Sequence, residues 1–283
     1  MCRLVSTFVI LCSLAGAREL QAPAQVTAGT SFSLASSGSG TATFYLISPA
    51  HVSKRQLRLG DEITVSGEEV KHAGRYTAIV CDGGNCNSAS FEVKAAPATQ
   101  LSLLVHPSRV RVSEPNAISA VALVFDKFHN LVLSPTQVEF KAIPRDGQPI
   151  SEARDSERGI AWFRLTSGRR EGPVKVGASA GSVSELRVVE QVASDACNLR
   201  IAPDWISGRL YVQTDPVRDC SGNPVPDGTV VSFTKMDSGG KTTVDVPVKR
   251  GVARVELPVK GNARVFAASG VVTGNELNVA GRQ

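Results

Sequence analysis

The strongest constraint on this sequence is an internal repeat, because two stretches of about 90 residues match block by block in the same order. Four blocks carry the match, and the first two share an offset of 93 residues without a gap. In chain order the pairs are Asp126–Val132 with Asp219–Val225, Val138–Phe140 with Val231–Phe233, Gly159–Leu165 with Gly251–Leu257, and Val176–Ala178 with Val265–Ala267. The two stretches are therefore copies of one unit.

Each copy is predicted to consist of short strands. In 160–165 and in 252–257, every second residue is apolar, and this period of two is typical of a strand with one buried and one wet face. The segment Asp219–Pro224 has turn chemistry, since Gly and Asn tolerate positive φ and Pro presets the residue that follows. Frequent Gly (25) and Pro (15) with only 5% aromatic residues favour many short strands over long helices. The pattern predicts a β-sandwich of roughly seven strands.

The motif of the second copy resembles a known family. Residues 219–233 read D-x-x-G-N-P-V-P-x-G-x-x-V-x-F and are followed by Gly-Val-Ala at 251–253. This resembles the bacterial immunoglobulin-like group 1 domain of invasin and intimin. The first copy is similar more loosely, with His129 in place of Gly and Leu131 in place of Pro. The resemblance implies an immunoglobulin-like sandwich that serves as a rod segment or adhesive module on bacterial surfaces.

The residues before the repeat predict a further sandwich of the same class. Thr41–Leu46 is a strand candidate, and Ala73–Val80 looks like the strand F corner of an immunoglobulin domain, where the hydroxyl of Tyr76 would bond back to the preceding turn. The fold class is therefore all-β, with three tandem immunoglobulin-like β-sandwiches after a signal peptide. The expected domains are 18–96, 97–192 and 193–283.

The first seventeen residues have the layout of a secretory signal peptide. Arg3 precedes an apolar run, Leu4–Leu14, and the small residues Ala15–Ala17 form an A-x-A site for cleavage near Ala17. The alternative is a short buried N-terminal segment. Leu11 stands before Cys12 where lipoprotein processing needs a small residue, so lipidation is not expected. The mature chain should be secreted, periplasmic or at the cell surface, with no transmembrane segment.

Four cysteines remain after cleavage, namely Cys81, Cys86, Cys197 and Cys220. An even number in an exported protein favours disulfides, and four cysteines allow three connectivities. Spacing favours Cys81–Cys86 and Cys197–Cys220, since each pair lies within one predicted domain. A redox or zinc site is the alternative, but Cys-x4-Cys without a nearby His is a poor zinc pattern.

Catalytic, cofactor and metal sites are not predicted. The four histidines are scattered singly, and the Ser-x-x-Lys at 238–241 has two glycines between its ends, which favours a flexible turn over a catalytic helix. The net charge of +5 and the pI of about 9.0 come from basic pairs spread over all modules. Nucleic-acid binding needs a concentrated basic face, so it is not expected.

Two features are candidate partner contacts. Trp162 lies on the strand face opposite the apolar series, where a Trp indicates either an interface or burial against a neighbouring domain. Asp82 and Asn85 flank the tip of a hairpin that a cystine would pin. Trp205 is expected at an inter-domain seam.

The predicted function is that of a non-catalytic, exported, adhesive or structural module at the bacterial cell envelope or surface, with a protein or glycan partner at a cell surface. The alternative is a carbohydrate-binding or accessory subunit of a secreted enzyme or surface assembly. Oligomeric state is left open.

Overall fold

The computed structural model describes residues 20–145 and 147–281, and within them the regular secondary structure consists almost entirely of short strands. The chain divides into two compact units, residues up to 100 with 125–134, and residues 101–124 with 135 onward. The predicted all-β sandwich class is confirmed. The signal-peptide prediction falls on residues 1–17, which lie outside the described residues.

The strands group in chain order into three sandwiches. Those of the first sandwich are β1 (Leu20–Gln21), β2 (Gln25–Thr27), β3 (Phe32–Ser36), β4 (Thr41–Ile47), β5 (Val52–Arg58), β6 (Ile63–Val65), β7 (Gly74–Asp82) and β8 (Asn85–Lys94), with a 3₁₀ turn at Gly67–Val70. Those of the second are β9 (Gln100–His106), β10 (Arg109–Arg111), β11 (Ile118–Phe125), β12 (Gln137–Ile143), β13 (Ile150–Asp155), β14 (Ile160–Leu165), β15 (Gly172–Ala180) and β16 (Val183–Val192). Those of the third are β17 (Ala196–Asn198), β18 (Ile201–Ile206), β19 (Arg209–Thr214), β20 (Arg218–Asp219), β21 (Val230–Asp237), β22 (Gly240–Pro247), β23 (Arg254–Glu256), β24 (Ala263–Ser269), β25 (Val272–Thr273) and β26 (Leu277–Val279).

In the first sandwich, the sheet β1-β3-β6 packs on the sheet β2-β8-β7-β4-β5. Phe32 of β3 meets Phe91 of β8 edge to face, with ring centroids 5.0 Å apart, and this contact joins the two sheets. Tyr76 is fully buried, and its hydroxyl donates a hydrogen bond to the carbonyl of His72 at 3.0 Å. The predicted strand F corner is thereby confirmed.

In the second sandwich, the sheet β14-β11-β9 packs on the sheet β10-β16-β15-β12-β13. Phe140 of β12 stacks on Phe163 of β14 with ring centroids 5.6 Å apart, so these two rings form part of the core between the sheets. Along β14 every second residue is buried, as the period of two predicts.

In the third sandwich, the sheet β18-β19-β23 faces the sheet β22-β21-β24-β25, with β26 paired to β24 and the short pair β17-β20 at one end. The core is aliphatic around Phe233, which is fully buried. Strand register supports the repeat: Phe140 pairs with Ala178 across β12 and β15, and Phe233 pairs with Ala267 across β21 and β24. The two copies thus share pairing as well as sequence.

Both disulfides that the spacing favours are present. Cys81–Cys86 links the facing ends of β7 and β8, which are themselves a cross-strand pair. Cys197–Cys220 ties β17 to the residue after β20. Each closes a loop inside one sandwich, so each stabilises its own module rather than a link between modules.

Candidate functional site

Trp162 stands on the outer face of the sheet β14-β11-β9 and is 64% exposed. The alternation of β14 forces this position, because Ala161 and Phe163 on either side are buried in the core. Trp162 pairs across the ladder with Val121 of β11, and Ile160, on the same face, is 40% exposed. A solvent-exposed indole beside two aliphatic side chains forms a surface suited to contact with another molecule.

A tight turn brings charged groups beside the indole. Between β13 and β14, Arg158 and Gly159 have φ values of +52° and +80°, and the flanking Glu157 and Ile160 exchange both backbone hydrogen bonds, at 2.8 and 3.1 Å. Positive φ at both central residues is the geometry of a two-residue hairpin turn. The turn folds β13 back so that its end lies next to β14.

The result is a shallow hollow beside Trp162, lined also by Arg154, Asp155, Glu157 and Ile160. Chemically, it offers a flat apolar ring, two carboxylates that accept hydrogen bonds and a guanidinium that donates them. Sequence reasoning missed the three charged residues. The available signal was the charged run 152–158 directly before the strand that carries Trp162.

The third sandwich shows that the scaffold does not need a tryptophan at this position. Arg254 occupies the equivalent place on β23, and its guanidinium pairs with the carboxylate of Asp204 at 2.9 Å and lies 4.8 Å from the ring centre of Tyr211. The third sandwich thus has a charge paired within the module at the position where the second sandwich has the exposed indole of Trp162. Since both copies fold, the exposed indole is not a requirement of the fold.

The second candidate contact is the tip of the β7–β8 hairpin. Asp82 pairs with Asn85 across the tip, and Gly83 and Gly84 have φ values of +55° and +97°. Asn85 is exposed and Asp82 is half-buried. The disulfide one residue further in, Cys81–Cys86, limits motion of the tip, so it presents a rigid loop.

The remaining sequence candidates do not converge on a site. Ser238 lies in the turn between β21 and β22, as the turn prediction has it, and its hydroxyl donates to the carbonyl of Lys260 at 3.0 Å. Trp205 packs against the core of its own sandwich, where it lies on the β18–β19 hairpin, and its expected place at an inter-domain seam stays a prediction. Across residues 20–145 and 147–281, no three His, Cys, Asp or Glu side chains come close enough to hold a metal ion.

None of the helices in the described part of the chain has the length and apolar character needed to cross a membrane.

Comparison with known proteins gives matches to solved structures. No protein-family description and no curated protein sequence matches the chain. The Escherichia coli adhesin FdeC is similar over 92% of this chain and 95% of that chain, with a TM-score of 0.64 and 15% sequence identity. Invasin, described as a bacterial integrin-binding protein, is similar over 89% of this chain and 57% of that chain, with a TM-score of 0.51 and 10% identity. The likeness to invasin-type immunoglobulin-like modules is therefore confirmed for the fold.

Proposed function

We propose that this chain is a non-catalytic, exported protein of three immunoglobulin-like modules, 18–96, 97–192 and 193–283, that makes adhesive or structural contacts at the bacterial cell envelope or surface. Its partner would be a protein or a glycan at a cell surface. The fold shared with an adhesin and with invasin supports this proposal but does not carry it, because sandwich folds serve many functions.

The observation that carries the proposal is the exposed indole of Trp162. A Trp side chain can bury up to about 250 Å² in a contact. With 64% of the residue exposed, covering it would remove on the order of 100–150 Å² from water, worth about 3 kcal/mol at 25 cal/mol per Å². A contact of that size corresponds to roughly 100-fold in affinity.

Export is part of the same proposal. Residues 1–17 have the layout of a cleaved signal peptide. The pairs Cys81–Cys86 and Cys197–Cys220 support it from the structure, since disulfides persist in oxidising compartments such as the periplasm and the cell exterior. N-terminal sequencing of the protein recovered outside the cytoplasm should begin at Arg18.

A carbohydrate-binding or accessory role is the second candidate, and the hollow beside Trp162 favours it. A pyranose ring stacks its C–H face on an indole, and its hydroxyls donate to carboxylates such as Asp155 and Glu157 and accept from a guanidinium such as Arg154. The ligand is then a soluble or polymeric glycan, and binding to it needs no protein partner.

The test is a binding screen of the mature chain against immobilised glycans, intact animal cells and intact bacterial cells. Trp162→Ala should weaken saturable binding by roughly 10- to 100-fold, in line with the area it covers. Leu186→Ala is the matched control, since Leu186 is 53% exposed in the same sandwich but lies on the other sheet. It should leave binding unchanged.

The outcomes separate the candidates. Binding to cells that survives removal of surface glycans would favour a protein partner, and binding to an isolated glycan would favour the carbohydrate-binding role. Equal loss in the two variants, or saturable binding that Trp162→Ala leaves intact, would contradict the assignment of this face.

A further inference from the structure

The Asp-x-x-x-Asn sequence that recurs in the repeat does more than close a turn. In its copy at 219–223, Asp219 is 2% exposed, and its Oδ1 accepts the backbone N–H groups of Ser221 and Asn223, each at 2.9 Å. Its Oδ2 accepts the N–H of Ser194 at 3.0 Å, and Ser194 lies in the connection that leads from β16 to β17. One carboxylate thus shapes the loop and ties it to the connection.

The asparagine of the motif reaches into the second sandwich. Nδ2 of Asn223 donates to the carbonyl of Arg169 at 2.8 Å, and Oδ1 accepts the N–H of Glu171 at 3.2 Å. Asn223 is buried, and Nδ2 also bonds the carboxylate of Asp219, which fixes the amide's orientation. The amide therefore recognises a carbonyl and an N–H two residues apart on another main chain, and only Asn or Gln carries both groups on one planar side chain.

The other copy, at 126–130, repeats these bonds inside the first compact unit. Nδ2 of Asn130 donates to the carbonyl of Lys71 at 2.7 Å, and Oδ1 of Asn130 accepts the N–H of Ala73 at 2.8 Å. Oδ2 of Asp126 accepts the N–H of Ala96 at 2.8 Å. The residues between Asp and Asn differ in the two copies, so the common geometry comes from Asp and Asn themselves.

The loop of the second sandwich that Asn223 contacts, residues 168–171 (the receiving loop), is also fixed by a side chain of its own sandwich, Gln191. Gln191 is 2% exposed; its Oε1 accepts the N–H of Gly168, and its Nε2 donates to the carbonyl of Arg170 at 2.9 Å. The loop leads to a glycine of positive φ, Gly172 at +124°, which opens β15. Gly74 at +139° opens β7 in the same way, three residues after Lys71. Both receiving loops therefore have the same position and form.

The third sandwich satisfies its equivalent groups internally. In the alignment that pairs Val176–Ala178 with Val265–Ala267, Pro258 and Lys260 correspond to Arg169 and Glu171. The carbonyl of Pro258 accepts a hydrogen bond from Nζ of Lys235, and the N–H of Lys260 donates to Oδ2 of Asp237 at 2.9 Å. Lys235 and Asp237 are themselves an ion pair at 2.8 Å, and both side chains are almost fully covered. In the third sandwich, the Lys–Asp pair thus bonds the loop carbonyl and N–H that correspond to the two groups bonded by Asn223 in residues 169–171.

We propose that the Asp-x-x-x-Asn loop is a docking surface whose partner is the main chain of a loop directly before a positive-φ glycine that opens a strand, and that Asn223 holds the second and third sandwiches in one arrangement. Two other contacts between the second and third sandwiches, at the seam between them, are weaker restraints on their arrangement. Ser113 and Ser221 share an exposed hydrogen bond at 2.7 Å, and Arg111 and Asp195 form an exposed ion pair, a type of contact that contributes little. This seam is independent of what the protein binds.

The test measures the distance between nitroxide labels on the full chain, with one label at Ala153→Cys in the second sandwich and one at Thr242→Cys in the third. Both positions are exposed strand residues. Asn223→Asp keeps the size of the side chain but replaces the Nδ2 donor with an acceptor that faces the carbonyl of Arg169 and the carboxylate of Asp219. We expect the distance distribution to become at least about twofold broader, since the two modules lose the bonds that fix their angle.

Asn262→Asp is the matched control, because it makes the same chemical change at an exposed position of the third sandwich. It should leave the distribution narrow. Asn130→Asp, in the other copy of the motif, should also leave it narrow, because Lys71, Ala73 and Asp126, with which the Asn130 side chain bonds, all lie in the first unit.

Asn223→Ala removes the same bonds without adding a charge and should broaden the distribution as Asn223→Asp does. A distribution that stays narrow in both variants would overturn the proposal. So would loss of the third sandwich's fold in both variants, seen in amide NMR spectra, because Asn223 would then serve its own module instead of the seam.

Discussion

Asp219→Ala should destabilise the third sandwich more than any surface substitution in it. The carboxylate is 2% exposed and accepts hydrogen bonds from four donor groups, the backbone N–H groups of Ser194, Ser221 and Asn223 and Nδ2 of Asn223. Truncation leaves the three backbone N–H groups without this acceptor, while Nδ2 of Asn223 keeps its bond to the carbonyl of Arg169. A buried donor left unsatisfied costs about 1–3 kcal/mol, so we expect a loss of about 3–5 kcal/mol. Single domains have only about 5–15 kcal/mol of stability in total, so most of the margin would be lost.

The assay is guanidinium unfolding followed by far-UV circular dichroism and Trp emission. At a slope of about 3 kcal/mol per M, the loss lowers the unfolding midpoint of the third sandwich by about 1–1.7 M. Asp215→Ala is the control, since Asp215 is exposed in the same sandwich and should change stability by less than about 0.5 kcal/mol. Both variants keep the Cys197–Cys220 disulfide. A midpoint for Asp219→Ala within about 0.3 M of the parent protein would show that the buried carboxylate is not a main source of stability.

Three further predictions concern single groups. Burial would raise the pKa values of Asp126 and Asp219, but the hydrogen bonds that the two carboxylates accept outweigh burial and lower both pKa values. Because the unfolded chain then binds protons more readily, the stability from these groups is complete above the ordinary pKa of about 3.9 and is lost as pH falls through the lower folded values. Urea midpoints measured from pH 6 to pH 2 should therefore decline only at the acid end, and the decline should be smaller in Asp219→Asn. Gly222 has a φ of +88° with open space around it, so Gly222→Ala should lower the free energy of unfolding by about 1 kcal/mol. His129 has a φ of +66° at the equivalent position of the other copy, so His129→Gly should leave the stability unchanged or raise it slightly. Equal shifts of the melting temperature, in the same direction, would contradict this reasoning. Tyr76→Phe removes the hydrogen bond to the His72 carbonyl and should lower stability by about 1–2 kcal/mol in thermal unfolding, and an unchanged melting temperature would show that the bond adds nothing.

The sequence was sufficient for the fold because its signals are local and repeated. Alternation in 160–165 predicts both the buried face of β14 and the open position of Trp162, and the structure has both. The Tyr76 corner and the cystine-pinned hairpin tip follow from short-range patterns in the same way. In each case the determinant lies within a few residues of its effect.

What the sequence could not predict depends on contacts between distant segments. The motif at 219–223 is readable as turn chemistry, but its Asn bonds to residues about 50 positions earlier, and no periodicity specifies that pairing. The packing of Trp205 against the core of its own sandwich also depends on tertiary geometry, because it requires a hairpin to fold over that core. The hollow beside Trp162 combines side chains that a turn of positive φ brings together.

The proposed function depends above all on contact between the Trp162 face and the partner, and hydroxyl-radical footprinting tests this contact even when the ligand is unidentified. The mature chain is oxidised free in solution and bound to the cells or glycan that retain it, and peptides are quantified by mass spectrometry. We predict that oxidation of Trp162 falls several-fold in the bound state, while Leu186, on the opposite sheet, is oxidised equally in both. Bound protein in which Trp162 is oxidised as fast as in the free chain would contradict the assignment of this face as the contact surface.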